Sequence, residues 1–281
     1  MKSCLRFTEV AVVAVFLTCV AASLAGEANV ARYVRFLAGG RAAYGVVEGS
    51  RVREIQGDLF GSWRPGEKTY ALSEVKILVP CRPSKILAVA RNYKSHGGAL
   101  TPIEHPELFF KPPSCLVADG ASIVIPPGAE PVHYEGELVI VVGKRARNVP
   151  PEKALDYVLG VTCGNDVSAR DWQQKDVQWW RAKGSDTFGP CGPAIVTGLH
   201  YDDLLVQTRV NGELKQKERT SQMVHGVAAI LSWASRYLTL EPGDLIYTGT
   251  PGTTSELKPG DVVEVEIEGI GVLKNPVKAG R

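Results

Sequence analysis

Most of the chain alternates at the period of strands. After residue 30 the segments YVRFL (33–37), AYGVV (43–47) and RVREI (51–55) alternate apolar and polar positions, with Gly39-Gly40 as a hairpin turn, and predict a small β-rich unit over 27–80. Pro80 and Pro83 predict a linker into a larger domain over 84–281. There, Lys85–Ala90, the LVIVV run (138–142) and Tyr157–Cys163 are apolar enough to be buried strands, and Asn211-Gly212 marks a second hairpin. Helical periodicity is confined to two places. Ser168 is a candidate cap for a helix to about Trp180, with Asp171 in its first turn and Lys175 one turn later. Ser221 is a candidate cap for a second helix, Gln222 to Tyr237. Pro-Gly-Asp occurs at 242–244 and 259–261, a repeated turn device without a repeat architecture. The fold class expected is a β-rich α+β protein.

A different pattern occupies the first 26 residues. Lys2 and Arg6 precede an apolar run from Val10 to Leu24, interrupted by no charge, and Ser23-Leu24-Ala25 supplies small residues for cleavage. This predicts an export signal and a periplasmic or secreted mature chain. An uncleaved membrane anchor and a mis-called start ahead of a cytosolic enzyme are the alternatives, although the run is short for a spanning helix. Cys81, Cys115, Cys163 and Cys191 remain after the signal, contain no CxxC pair, and are left unpaired or paired by sequence alone.

Composition narrows the function classes. A 44% hydrophobic content supports a proper core, and a net charge of +2 without a Lys/Arg cluster argues against nucleic acid as partner. The informative polar residues are Glu135 and Glu137 in HYEGE, with Asn165-Asp166 at the end of the next apolar run. Alternate strand residues share a face, so the two carboxylates project together ahead of Val139 and Val141. On residues alone this is either a site for a hard cation or the wet face of an antiparallel sheet, as Glu264, Glu266 and Glu268 suggest for themselves. The valines on the same face distinguish the first pair and point it inward. Asp166 is the natural third ligand.

The blocks NYKSH (92–96), FFKPPS (109–114), HYEGELVIVVGK (133–144), GNDVSARDWQ (164–173), RAKGSDTFGP (181–190) and LIYTGTPGT (245–253) resemble, in order and spacing, the fumarylacetoacetate hydrolase superfamily. The resemblance covers roughly residues 84 to 275. It implies a mixed β-roll or sandwich catalytic domain behind the small N-terminal unit, and related proteins are commonly homodimers. It also implies that Glu135, Glu137 and Asp166 hold Mg²⁺, with Mn²⁺ or Ca²⁺ as alternatives, and that Lys183, otherwise an ordinary loop lysine, is an ammonium beside the ion. Gln173 corresponds to a glutamine that hydrogen-bonds the reacting carbonyl or water. His133 shares the face and is expected beside the ligands or at the strand edge rather than as a ligand.

His96 corresponds to the lid histidine of the family, a general acid or base. The family's dyad has a glutamate three residues later, where this chain has Ala99, and Glu104 is the candidate to orient the imidazole instead. Arg91, Tyr93 and Lys111 are expected to line the entrance and hold a remote carboxylate, and Thr250 to offer its hydroxyl to a substrate carboxylate. The activity implied is C–C hydrolysis of an acylpyruvate-like 2-oxo acid through an enolate. Decarboxylation of an oxaloacetate-like substrate, isomerisation of a 2-hydroxy-dienedioate, and a catalytically impaired extracytoplasmic dicarboxylate-binding protein are the alternatives.

Overall fold

The computed structural model describes residues 30–97 and 103–281. The export signal over 1–26 and position 99 therefore lie outside the described residues. No described helix is long and apolar enough to cross a membrane.

The N-terminal unit is a meander of β1 (Ala31–Ala38), β2 (Arg41–Glu48), β3 (Arg51–Gly57) and β4 (Trp63–Ala71), with β5 (Lys76–Ile77) returning to β1. Gly39 and Gly40 take φ of +54° and +78°, as a tight turn between twisted strands requires. The larger part begins with β6 (Ile86–Ala90), α1 (Lys94–Gly97), β7 (Glu107–Lys111), β8 (Leu116–Val117), β9 (Ile123–Ile125), β10 (Val132–His133) and β11 (Gly136–Val142). It continues through β12 (Val158–Asn165), β13 (Ser168–Ala169), α2 (Arg170–Lys175), α3 (Trp180–Gly184), β14 (Gly189–Thr197), β15 (Leu205–Val210) and β16 (Glu213–Arg219). It closes with α4 (Val227–Tyr237), β17 (Leu245–Tyr247), β18 (Val262–Ile267) and β19 (Gly271–Ala279).

The two parts share one sheet. Its order is β4-β3-β2-β1-β14-β12-β11-β17-β6-β7, and the join is the antiparallel pairing of β1 with β14 through Ala31–Thr197, Arg32–Val196 and Tyr33–Ile195. A second sheet, β16-β15-β18-β19-β9, lies over the middle of the first. Leu138, Ile140 and Val142 of β11 meet Val206, Val265 and Ile267 of the second sheet together with Val227, Ile230 and Leu231 of α4, forming the main core. Val139 and Val141 point the other way into a second core with Ile86, Ala88, Ile195 and Tyr247. Burying Leu or Val side chains this completely is worth about 1.5–3 kcal/mol each, so β11 is anchored on both faces. The four described cysteines are buried free thiols.

Both helices differ from the sequence expectation. Ser168 donates its hydroxyl to the Asp166 carbonyl at 2.7 Å and pairs with His133 in a two-stranded ribbon, so it cannot cap, and the helix starts at Arg170. It ends at Lys175, where Asp176 turns to accept Arg181 at 2.7 Å, and α3 follows as a separate turn. The Asp171–Lys175 pair is present at 2.8 Å. The later helix starts at Val227 rather than Gln222, because Met223 to His225 are held extended against Asn92 and Tyr93. The two Pro-Gly-Asp turns are built alike. Asp244 and Asp261 each accept the backbone N–H three residues earlier, at 2.8 and 2.7 Å, and donate their own N–H to that residue's carbonyl.

Candidate metal centre and active site

The acidic centre sits where β10, β11 and β12 meet. The register pairs Gly136 with Asn165, which brings the residues flanking each strand end together. Asn165 Oδ1 accepts the Glu135 N–H at 2.8 Å and the Glu135 carbonyl accepts the Asp166 N–H at 2.8 Å, so the Asn165-Asp166 pair fixes the backbone of Glu135. Glu137 projects from β11 itself and accepts the Gly249 N–H at 2.7 Å. Oxygens of Glu135, Glu137 and Asp166 all lie within 4.8 Å of one another, and all three residues are buried.

Charge is distributed unevenly over this cluster. Lys183 Nζ bridges Glu135 at 2.6 Å and Asp166 at 2.8 Å, Arg170 reaches the other Glu135 oxygen at 2.6 Å, and Lys111 reaches Asp166 at 2.6 Å. Burial works to raise the Glu135 carboxyl, but Lys183, Arg170 and His96 outweigh it and hold that group well below the usual carboxylate range. Glu137 has no such partner. Burial first, then Asp166 and Glu135, push its carboxyl well above the ordinary value. Burial opposes the Lys183 ammonium, yet Asp166 and Glu135 keep it above its normal value. A buried carboxylate without a counter-charge, beside two others and with only oxygen donors around it, is a donor set suited to a hard divalent cation.

His96 closes the cavity from α1. Its Nδ1 lies 2.7 Å from the Gly252 carbonyl, which can only accept, so Nδ1 carries a proton and Nε2 faces Glu135 Oε1 at 3.7 Å. Val89, Arg91, Phe109, Arg170, Gln173, Trp179 and Thr250 complete a cavity of about 60 Å³. Gln173 gives its carbonyl oxygen to Arg170 at 2.8 Å, which leaves its amide N–H₂ for the cavity. Arg91 holds φ at +53°, a costly conformation for a residue with a Cβ, directly at the cavity wall.

Four expectations change. Glu104 does not orient His96, since its side chain is 88% exposed and its described ionic partner is His105. Lys111 is not at the entrance. It is buried beneath Asp166, donating also to the carbonyls of Lys183 and Phe188, because a lysine in a closed strand must find acceptors. Tyr93, just before α1, is 1% exposed and lies outside the cavity wall. Thr250 does line the cavity, but its hydroxyl hydrogen goes to the Gly136 carbonyl at 2.9 Å. Sequence reasoning passed over Arg170, four residues after Asp166 in GNDVSARDWQ, and the aromatic walls Phe109 and Trp179. His133 hydrogen-bonds Thr254 at 2.9 Å and is no part of the acidic cluster.

The model of the fumarylacetoacetate (FAA) hydrolase C-terminal family matches residues 85–278, which include every cavity residue named above. The chain belongs to this family. Residues 31–80 match a second model, the Rv2993c-like N-terminal family. The Mycobacterium tuberculosis protein Rv2993c is 47% identical over 232 residues, covering 80% of this chain and 87% of that protein. A Xenopus laevis protein named oxaloacetate tautomerase fahd2, mitochondrial, is 41% identical over 221 residues, covering 73% of this chain and 69% of its own length. Among solved structures, a Mycobacterium marinum 2-hydroxyhepta-2,4-diene-1,7-dioate isomerase superposes with a TM-score of 0.84 at 43% identity, over 89% of this chain and 98% of the other. The fumarylacetoacetate hydrolase fold with a small N-terminal domain is thus shared, and the chain is an enzyme of that family.

Proposed function

We propose that this enzyme moves a proton on the enol of a small, doubly anionic 2-oxo acid, using Mg²⁺ or Mn²⁺, and that keto–enol or double-bond isomerisation is its principal reaction. The observation that carries this reading is the state of His96. Its Nδ1–H is held by a neutral carbonyl, and its free Nε2 faces the acidic cluster. A base that must activate water for C–C cleavage benefits from a carboxylate on its far nitrogen, to stabilise the imidazolium. Among the described residues none is there, and the intervening segment 98–102 contains no acid. An imidazole that presents Nε2 to the cavity is sufficient to take a proton from carbon and return it to oxygen.

The remaining residues divide the other tasks. A divalent ion held by Glu135, Glu137 and Asp166 would act as a Lewis acid on the substrate's oxygens as negative charge develops. Lys183, Arg170 and Lys111 already pair with Glu135 and Asp166, which leaves Glu137 and a dianionic substrate to take up the charge of the ion. Gln173 N–H₂ donates to the reacting carbonyl, and Arg91 at the rim takes the distal carboxylate. Phe109 and Trp179 wall off water from the enol.

A second reading, hydrolysis of an acylpyruvate-like acid, draws support from space. Phe109 and Trp179 also line an outer cavity of about 420 Å³ with Leu108, Phe110, Val177 and Trp180, large enough for a longer acyl tail. The test is turnover of oxaloacetate enol, a 2-hydroxy-dienedioate and acetylpyruvate with added Mg²⁺, beside Glu137→Gln. Faster enol loss or dienedioate isomerisation, abolished in Glu137→Gln, is the expected result. Acetylpyruvate cleavage without either would overturn it in favour of hydrolysis. Metal uptake by calorimetry with no turnover would favour the dicarboxylate-binding reading. The same proposal includes an exported, homodimeric mature chain, which fractionation and light scattering check.

A further inference from the structure

The arm carrying His96 is fastened at two levels. At its base, Asn92 is 1% exposed, donates to the carbonyls of His225 and Thr248 at 2.9 and 2.7 Å, and accepts the His225 N–H at 2.8 Å. Tyr93 bridges Met223 beside it. Beyond that base, α1 is a single turn, and a single turn is not stable by itself.

Its outer fastening is a directed chain of hydrogen bonds. The Ser95 hydroxyl donates to Glu218 Oε2 at 2.5 Å on β16, while Ser95 Oγ accepts the Gly252 N–H at 2.9 Å. The Gly252 carbonyl in turn accepts the His96 Nδ1–H at 2.7 Å. A hydroxyl has one proton, and the carboxylate takes it, so the Ser95 lone pair must face Gly252. Gly252 turns its N–H and its carbonyl to two neighbouring side chains of the arm by adopting φ +62°, which a glycine reaches without strain.

We propose that Ser95 and Glu218 are positioning residues for His96. Through the two backbone groups of Gly252 they fix both the place of the imidazole and its Nδ1–H tautomer. They perform at a distance the task that a carboxylate in direct contact would perform. The inference rests on the proton-transfer role proposed for His96 and names the residues that regulate it. Neither Ser95 nor Glu218 lines the cavity, so neither touches the substrate.

The experiment uses the Mg²⁺-loaded full chain with Ser95→Ala, Glu218→Ala and Ser95→Thr, each checked for folding by circular dichroism. Ser95→Ala and Glu218→Ala are expected to lower kcat about tenfold with KM within about twofold, and Ser95→Thr to restore it. Nitrogen-15 NMR of His96 reads the tautomer directly. The wild type should show Nδ1 protonated, and the two alanine variants a mixture. Unchanged kcat with an unchanged His96 spectrum would overturn the proposal. If the wild type turns over no substrate, the proposed reaction fails, and the NMR comparison alone decides whether Ser95 and Glu218 position His96.

Discussion

Two strands of this protein carry Glu-x-Glu, and the fold gives them opposite fates. In β18, Glu264 and Glu266 face solvent and take cations from adjacent strands, Lys274 at 2.8 Å and Arg209 at 2.6 Å, while Val263, Val265 and Ile267 go to the core. Glu137 at the start of β11, with Glu135 just before it, belongs to a strand covered on both sides, one face by the second sheet and α4, the other by the core around Tyr247. The glutamates themselves are the same. What separates them is the number of layers over the strand, because a surface ion pair costs little to form and gains little, whereas a buried carboxylate must be neutralised, protonated or bound to a cation.

The sharpest way to break the comparison is to remove one cation from each site. Lys183→Met removes the cation between Glu135 and Asp166, leaving each with one partner, Arg170 and Lys111, and is expected to destabilise the metal-free protein by about 3 kcal/mol. Chemical denaturation measures it, and Mg²⁺ should restore part of the loss. Turnover should disappear. A loss no larger than that of Lys274→Met would show that the two sites are energetically alike.

Acidity offers a second contrast, smaller in effect. Glu137 has a raised value in the folded state, so in the window between its unfolded and folded values the folded chain binds the extra proton. Its contribution to stability therefore falls as pH rises through that window. Glu135 is depressed, so its contribution is complete above the unfolded value, about 4.3, and is lost only on stronger acidification. The metal-free protein should thus melt highest at weakly acidic pH, and saturating Mg²⁺, which needs Glu137 ionised, should move that optimum upward. Melting temperature against pH, in chelator and in Mg²⁺, tests it. A melting point in chelator that climbs steadily from about pH 5 to about pH 8 would contradict the assignment of Glu137.

At the weak end lies Glu266→Ala, expected to change stability by about 1 kcal/mol or less and turnover not at all, because its partner Arg209 is a surface cation. An effect on turnover would mean that the second sheet is coupled to the cavity.

How much of this was legible beforehand follows the range of each interaction. Strand alternation put Glu135 and Glu137 on one face and offered Asp166 as a third ligand, the resemblance decided for a cation site over a wet sheet face, and the hairpin-like pairing of β11 with β12 brings the three together. The turns at Gly39-Gly40 and Asn211-Gly212 were legible because positive φ is a local demand. The helix limits were not. Ser168 and the segment before Val227 are claimed by partners far away in the chain, and a capping signal carries no notice of that. Lys111 misled in a similar way, because a lysine in FFKPPS gives no local sign that it will be sealed beneath Asp166.

The sequence by itself determined the family, the β-rich α+β class and the three carboxylates, all of which depend on residue type and short spacing. Only the tertiary structure decided that β1 extends the catalytic sheet through β14, that Arg170 rather than Glu104 enters the charged network, and that Ser95, beside His96, hydrogen-bonds Glu218. The reason is physical. Neutralising a buried charge or fixing an imidazole takes any partner within about 3 Å, and folding supplies it regardless of the distance along the chain: 55 residues separate Lys111 from Asp166 and 123 separate Ser95 from Glu218.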